Sequence, residues 1–275
     1  SCSQTTWNTG HNATSGTASY TTAANTNWVG TGCASGSTVN ISRGFLVFDT
    51  SALPDNAVIT SASVYVYVTG KTDSKNDANG FVSIVQGLQA STASLTTTDY
   101  AKAGSAITNP IEGSNRLDIS TIPTTSFGRW DLNTAGLGWV SKTGVTKLAL
   151  REGHDIVNAW PSYTANQGDY ISVYLSEQTG TSQDPYIEVT YLPATPAINT
   201  STPTATPTPT AGTLTPTATN TPVPPGGTIT ATPPPIVARF YASAGDGRVS
   251  YTGASLSSCS QTTWNTGHNA TSGTA

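Results

Sequence analysis

Residues 1–18, SCSQTTWNTGHNATSGTA, and residues 258–275 are identical letter for letter. An internal copy constrains the architecture before any strand is assigned, because a repeat is one structural unit met twice. Diverged repeats drift, so this undrifted match reads as tandem copying with a period of 257 residues. The first copy runs on into Ser19 and the second stops, so the expectation is a window cut from a longer repeating polypeptide. The alternative is one protein with a duplicated terminal tag.

Thr, Ser, Gly, Asn, Val and Tyr dominate and Met is absent, a composition that favours strands and turns. Only 9% of residues are charged, against about a quarter in ordinary domains. The 11 basic and 15 acidic residues leave a net charge of −4, too small and scattered to attract nucleic acid or anionic lipid. No apolar run approaches the roughly 20 residues of a membrane-spanning helix. A surface wetted by Thr, Ser and Asn points to an extracellular or cell-surface β protein, its signal peptide removed or outside the window. The three cysteines become two per period, because Cys259 copies Cys2. That even count predicts a Cys2–Cys33 disulfide, worth about 3–4 kcal/mol in the chain-entropy model, with Cys259 bonded to the next copy. Free thiols in a reducing compartment are the other option.

Along the chain, residues 1–42 read as loops and short strands around that disulfide, with Trp7, Tyr20 and Trp28 as anchors. Strands are expected over 44–49, 57–69, 81–89, 129–132, 145–151, 170–177 and 185–192. A helical turn is expected in 96–103, N-capped by Thr98, and a turn or short helix in 133–142. Residues 153–168 read as a loop. Short alternating strands at this spacing argue a two-sheet sandwich.

Arg43-Gly-Phe-Leu-Val-Phe-Asp49, Ser51-Ala-Leu-Pro54 and Ala57-Val-Ile-Thr-Ser-Ala-Ser-Val-Tyr-Val-Tyr-Val68 together resemble the DNRLRE domain family. Trp130-Asp131-Leu132, Gly138-Trp139, Val145–Arg151 and Pro185-Tyr-Ile-Glu-Val-Thr-Tyr191 follow in matching order. Of the name-giving motif only a fragment is present, Ser114-Asn-Arg-Leu-Asp118. The resemblance spans about 43–192 and implies a jelly-roll-like sandwich of secreted and surface proteins, sometimes a carbohydrate-binding module. In such domains an opening strand normally precedes the 1–42 segment. It is missing at the front, and residues 236–253 look like it.

The expected architecture is therefore all-β: a jelly-roll-like sandwich over 1–192 lacking its first strand, a linker over 193–235, and an opening strand with the start of the next repeat over 236–275. The linker holds 12 of the 17 prolines, 15 threonines and no charge, which favours extended polyproline II. Its threonines Thr195, Thr200, Thr202, Thr204, Thr206, Thr208, Thr210, Thr213, Thr215, Thr217, Thr219 and Thr221 are candidate O-glycan acceptors. Sequons stand at Asn12, Asn40, Asn199 and Asn269.

Nothing in the sequence argues for an enzyme, a metal or a cofactor. Glu152, His154 and Asp155 read as solvated loop chemistry, and Asp246 as a turn residue rather than a calcium ligand. Trp130 and Trp139 are expected in the core. Trp28, Trp160 and Tyr163, in polar loops, are candidates for stacking on sugar rings. Val237, Arg239, Phe240, Tyr241, Val249 and Tyr251 are the candidate strand-exchange residues. The expected function is a subunit of an extracellular filament or stalk, joined head-to-tail to copies of itself by linker and strand. The alternative is a glycan-binding adhesin module in a tandem array.

Overall fold

The computed structural model describes residues 2–19, 27–176, 182–193, 233–243 and 246–254. The linker threonines, Cys259 and the second 18-residue copy lie outside them. The described strands are β1 (Thr17–Ser19), β2 (Asn27–Ala34), β3 (Thr38–Asp49), β4 (Val58–Asp73), β5 (Phe81–Gln86) and β6 (Leu117–Asp118). They continue with β7 (Ser126–Asp131), β8 (Val145–Glu152), β9 (Gln167–Val173), β10 (Tyr186–Leu192), β11 (Ile236–Tyr241) and β12 (Gly247–Ala254). Short helices are α1 (Gln4–His11), α2 (Thr134–Gly138) and α3 (Gly153–Val157), with a 3₁₀ turn over Thr97–Lys102.

All pairings are antiparallel and join the strands into one continuous curled sheet. It folds into two layers because two long strands change partner along their length. On one edge of β3, residues 38–42 pair with β2 and residues 44–49 with β8. On one edge of β4, residues 58–65 pair with β10 and residues 68–73 with β9, while β7 takes the other edge. The fold is all-β and sandwich-like, as expected.

Period-2 burial follows from strand geometry. Leu46, Phe48, Leu148 and Leu150 enter the main core with Val64, Val66, Val68 and Trp130. Val39, Ile41, Phe45 and Ala149 face the other way, into a second core with Trp7, Tyr100, Tyr163 and Val249. The β3–β8 layer is therefore covered on both faces, and α1 and the 3₁₀ turn form the second cover. Trp130 is fully buried and donates Nε1–H to Val82 O at 2.9 Å; Trp139 packs half-buried against the main core.

The structure corrects several sequence expectations. The 1–42 segment holds a helix and two full strands. Ser3 caps α1, its Oγ accepting from Thr6 N–H at 3.2 Å. The 3₁₀ turn begins after Thr96, not Thr98, with Asp99 accepting from Thr96 N–H at 2.7 Å. The 153–168 segment opens with α3, whose N-cap is Glu152. Local composition hides these, because helices of five to eight residues are too short to show a readable period.

The 236–254 ribbon is part of the same sheet. Its first half, β11, pairs with β10 from Tyr186↔Tyr241 to Tyr191↔Ile236. Its second half, β12, runs along the free edge of β3 from Phe45↔Gly247 to Thr38↔Ala254, and β1 pairs with its far side. Val249 is fully buried, while Val237 is 59% exposed. We expect Val249→Asp, which places an unpaired charge in the second core, to lower unfolding stability by more than 3 kcal/mol. Val237→Asp should change it by less than about 1 kcal/mol. Urea unfolding of the two variants measures the contrast.

Candidate functional site: the ribbon seat and the aromatic groove

The seat for β12 is built from three pieces: the β3 edge beside it, β1 beyond it, and α1 above. Close approach requires glycine at two points. A Cβ on Gly10 of α1 would overlap the Tyr251 ring, and a Cβ on Gly16 would overlap the Ser250 carbonyl. Tyr251 also lies 6.4 Å from the Tyr100 ring. The disulfide Cys2–Cys33 forms as expected, with Cα atoms 5.9 Å apart, and ties the start of α1 to β2.

Ala242, Ser243 and Asp246 anchor the inner ends of β11 and β12. Ala242 N–H donates to Pro185 O at 2.7 Å and Ser243 N–H to Val47 O at 2.9 Å. Asp246 accepts from Ser176 N–H at 2.9 Å and Oγ–H at 2.7 Å. Its buried carboxylate thus pins this end of β12 to the body. Among the described residues no group of three His, Cys, Asp or Glu is placed to hold a metal.

Of the six candidate exchange residues, Val249, Tyr251 and Phe240 turn inward, and Val237, Arg239 and Tyr241 outward. The β11 residues that reach the main core are Ala238 and Phe240, because alternation puts even positions on that face. Arg239 lies on the surface, paired with Glu188 at 3.0 Å and stacked 4.3 Å from the Tyr186 ring centre.

Two buried polar clusters are built on the end of β8 and on α3. Arg43 and Arg151, one position beyond the Gly44–Leu150 pair, would repel each other as neighbouring like charges. Asp155 sits between them. Its carboxylate accepts from Arg43 Nε and Nη2 at 2.8 and 2.7 Å, from Arg151 Nε at 2.7 Å, and meets His11 Nδ1 at 3.0 Å. Burial pushes the Asp155 carboxyl up, but Arg151 and Arg43 outweigh it and hold it well below the usual range. Arg43 also donates to the carbonyls of Tyr100 and His11, and Arg151 to Ile107 and Asp155. One carboxylate therefore joins α1, β3, β8 and α3, with the 3₁₀ turn held through the Tyr100 carbonyl.

The second cluster contains Glu152, His154, Tyr163 and Asp169. Glu152 meets His154 Nδ1 at 2.6 Å and accepts from Thr31 Oγ1–H at 2.9 Å. Tyr163 O–H donates to Asp169 at 2.7 Å. Asp77 lies 3.3 Å from His154 Nε2. Glu152, His154 and Asp155 are 0–1% exposed, so the solvated-loop reading is wrong. They are interior groups with complete partners, and α3 is what folds them inward.

The candidate sugar-stacking residues separate. Tyr163 is 1% exposed and belongs to the second core. Trp160 packs beside it, 5.9 Å away, and 5.6 Å from Trp7. Neither shares a surface with Trp28. That residue lines an open groove of about 460 Å³ with Tyr170, Asn40, Asn166, Gln167 and Ser172. The Trp28 and Tyr170 rings meet edge-on at 5.7 Å, and Arg248 of the ribbon lies 5.4 Å from the Trp28 ring. Tyr170 was missed because it reads as an ordinary strand residue; only the β2–β9 pairing sets it beside Trp28, its Cα partner being Gly30.

Comparison with family models, characterised proteins and solved structures returned no match. No described helix is long and apolar enough to cross a membrane.

His154 gives a pH signature. Burial alone would lower its pKa, but the hydrogen bond and charge of Glu152, with Asp77 and Asp169 behind, raise it to about 9. The unfolded imidazole titrates near 6.5. A folded value above the unfolded one means the stabilisation is complete below about pH 6.5 and lost as pH rises through about 9. Urea midpoints should therefore fall between pH 6.5 and 9.5, and His154→Gln should flatten that fall.

Proposed function

We propose that this chain is a subunit of an extracellular filament or surface stalk, with units joined head-to-tail by strand exchange through the 236–254 ribbon. The observation that carries this reading is the ribbon's connection. Tyr191 and Ile236 are direct cross-strand partners, and a hairpin between such neighbours needs only two to five residues. Here 43 residues, 193–235, stand between the strands, uncharged and rich in proline. A polyproline II arm of that length reaches on the order of 100 Å. It is poorly suited to returning to its start and well suited to carrying the ribbon to the next sandwich. Exchange of an identical element between copies makes assemblies without any new contact, and head-to-tail contacts that do not close give fibres. The repeated 18 residues supply the second reason: an exact copy of residues 1–18 follows the ribbon, as a tandem unit would require. The DNRLRE resemblance and the Thr-rich composition support a secreted, disulfide-bonded, O-glycosylated protein without catalytic activity.

A second reading, a glycan-binding module in a tandem array, is favoured by the groove at Trp28 and Tyr170. Flat aromatic faces beside amide side chains suit the apolar and hydroxyl faces of a sugar ring.

Two measurements separate the readings. The native chain should form linear assemblies in negative-stain electron microscopy, one sandwich per step, and a chain with residues 194–234 replaced by a four-residue turn should be monomeric. A native chain that stays monomeric at every concentration would overturn the filament. On a glycan array, the second reading expects binding that falls at least tenfold in Trp28→Ala and not in Trp160→Ala.

A further inference from the structure

The seat over β12 is occupied by residues 2–19, and the chain contains an identical second occupant. We infer that residues 258–275 can fill the same seat, with Cys259 replacing Cys2 as the partner of Cys33. Residues 236–275 would then act as one module, ribbon plus clasp, that inserts into a sandwich and locks itself there by a disulfide.

Three observations lead to this. First, every seat contact made by α1 has its duplicate: Cys2, Trp7, Gly10 and His11 recur as Cys259, Trp264, Gly267 and His268. Identical side chains in an identical order offer the seat identical packing, including the glycine that admits Tyr251. Secondly, the reach is sufficient. Gly253 pairs with Val39, which pairs with Cys33. Two strand spacings of about 4.8 Å and the 5.9 Å between the disulfide Cα atoms place Cys2 within roughly 16 Å of Gly253. The six residues 254–259, extended, would span about 20 Å. Thirdly, the tether is short, so the copy is presented to the seat at high effective concentration wherever the ribbon is already docked.

The exchange balances without an external oxidant. The Cys259 thiolate attacks the Cys33 sulfur, the Cys33–Cys259 bond forms, the Cys2–Cys33 bond breaks, and Cys2 leaves as a thiolate that takes up the proton Cys259 released. Cys2 and Cys33 are buried, so α1 must lift from the seat as its duplicate arrives. Between copies the same bond would join neighbouring subunits covalently; that form rests on the strand-exchange reading above.

The test uses the full chain carrying Cys2→Ser, refolded with oxidised glutathione, which takes two electrons from the two thiols and leaves as two reduced glutathiones. Non-reducing peptide mapping should find a Cys33–Cys259 linked peptide. Alkylation of Cys33 should fall at least tenfold relative to the Cys2→Ser, Cys259→Ser double variant. Equal alkylation in both would overturn the proposal. If the variant does not fold, alkylation of the native chain decides instead. Label on both Cys2 and Cys259 supports exchange, and label on Cys259 alone overturns it. Gel mobility keeps this separate from the filament. A linked peptide in a monomer supports the clasp and rejects the filament. Fibres without that peptide reject the clasp and keep the filament. A ladder collapsed by reductant supports both.

Discussion

The pairing of β12 with the free edge of β3 is the interaction on which the molecule turns. Without it β3 would expose a row of unpaired N–H and C=O groups from Thr38 to Phe45, an open template for any other strand. It would also leave the second core without Val249, and β1 with nothing to pair to. A sheet edge of this length in the middle of a sandwich is not a surface the protein can leave bare. The ribbon is therefore part of the fold, although 43 residues of linker separate it from the rest.

The floor beneath the ribbon is stiff for an electrostatic reason. Two arginines on neighbouring strands are buried, and only the Asp155 carboxylate between them makes that arrangement stable. A buried charge set of this kind adds little stability over an apolar core, but removing one partner costs about 3–5 kcal/mol. Its effect is positional: Asp155 fixes where α3, β3 and β8 stand relative to α1, and α1 is the lid of the seat.

The ribbon also connects the two candidate sites. Its inward face fills the seat with Val249 and Tyr251, while Arg248, on the opposite face, reaches the Trp28 ring at the groove. A sandwich whose ribbon is withdrawn would lose that guanidinium from beside Trp28.

Many of the strand positions were legible from residues alone, because alternation such as Val64, Val66 and Val68 against Tyr65 and Tyr67 reports burial directly. So was the Cys2–Cys33 bond, from the arithmetic of an exact repeat. What only the tertiary structure decided was long-range and register-dependent. Glu152, His154 and Asp155 look solvent-bound in sequence, and a five-residue helix turns them inward. Tyr163 looks like a surface aromatic, and its neighbour Asp169 takes its hydroxyl into the interior. Tyr170 acquires a role only because β9 lies beside β2. One-dimensional pattern encodes which face of a strand is apolar; which other strand meets that face is set by partners more than a hundred residues away.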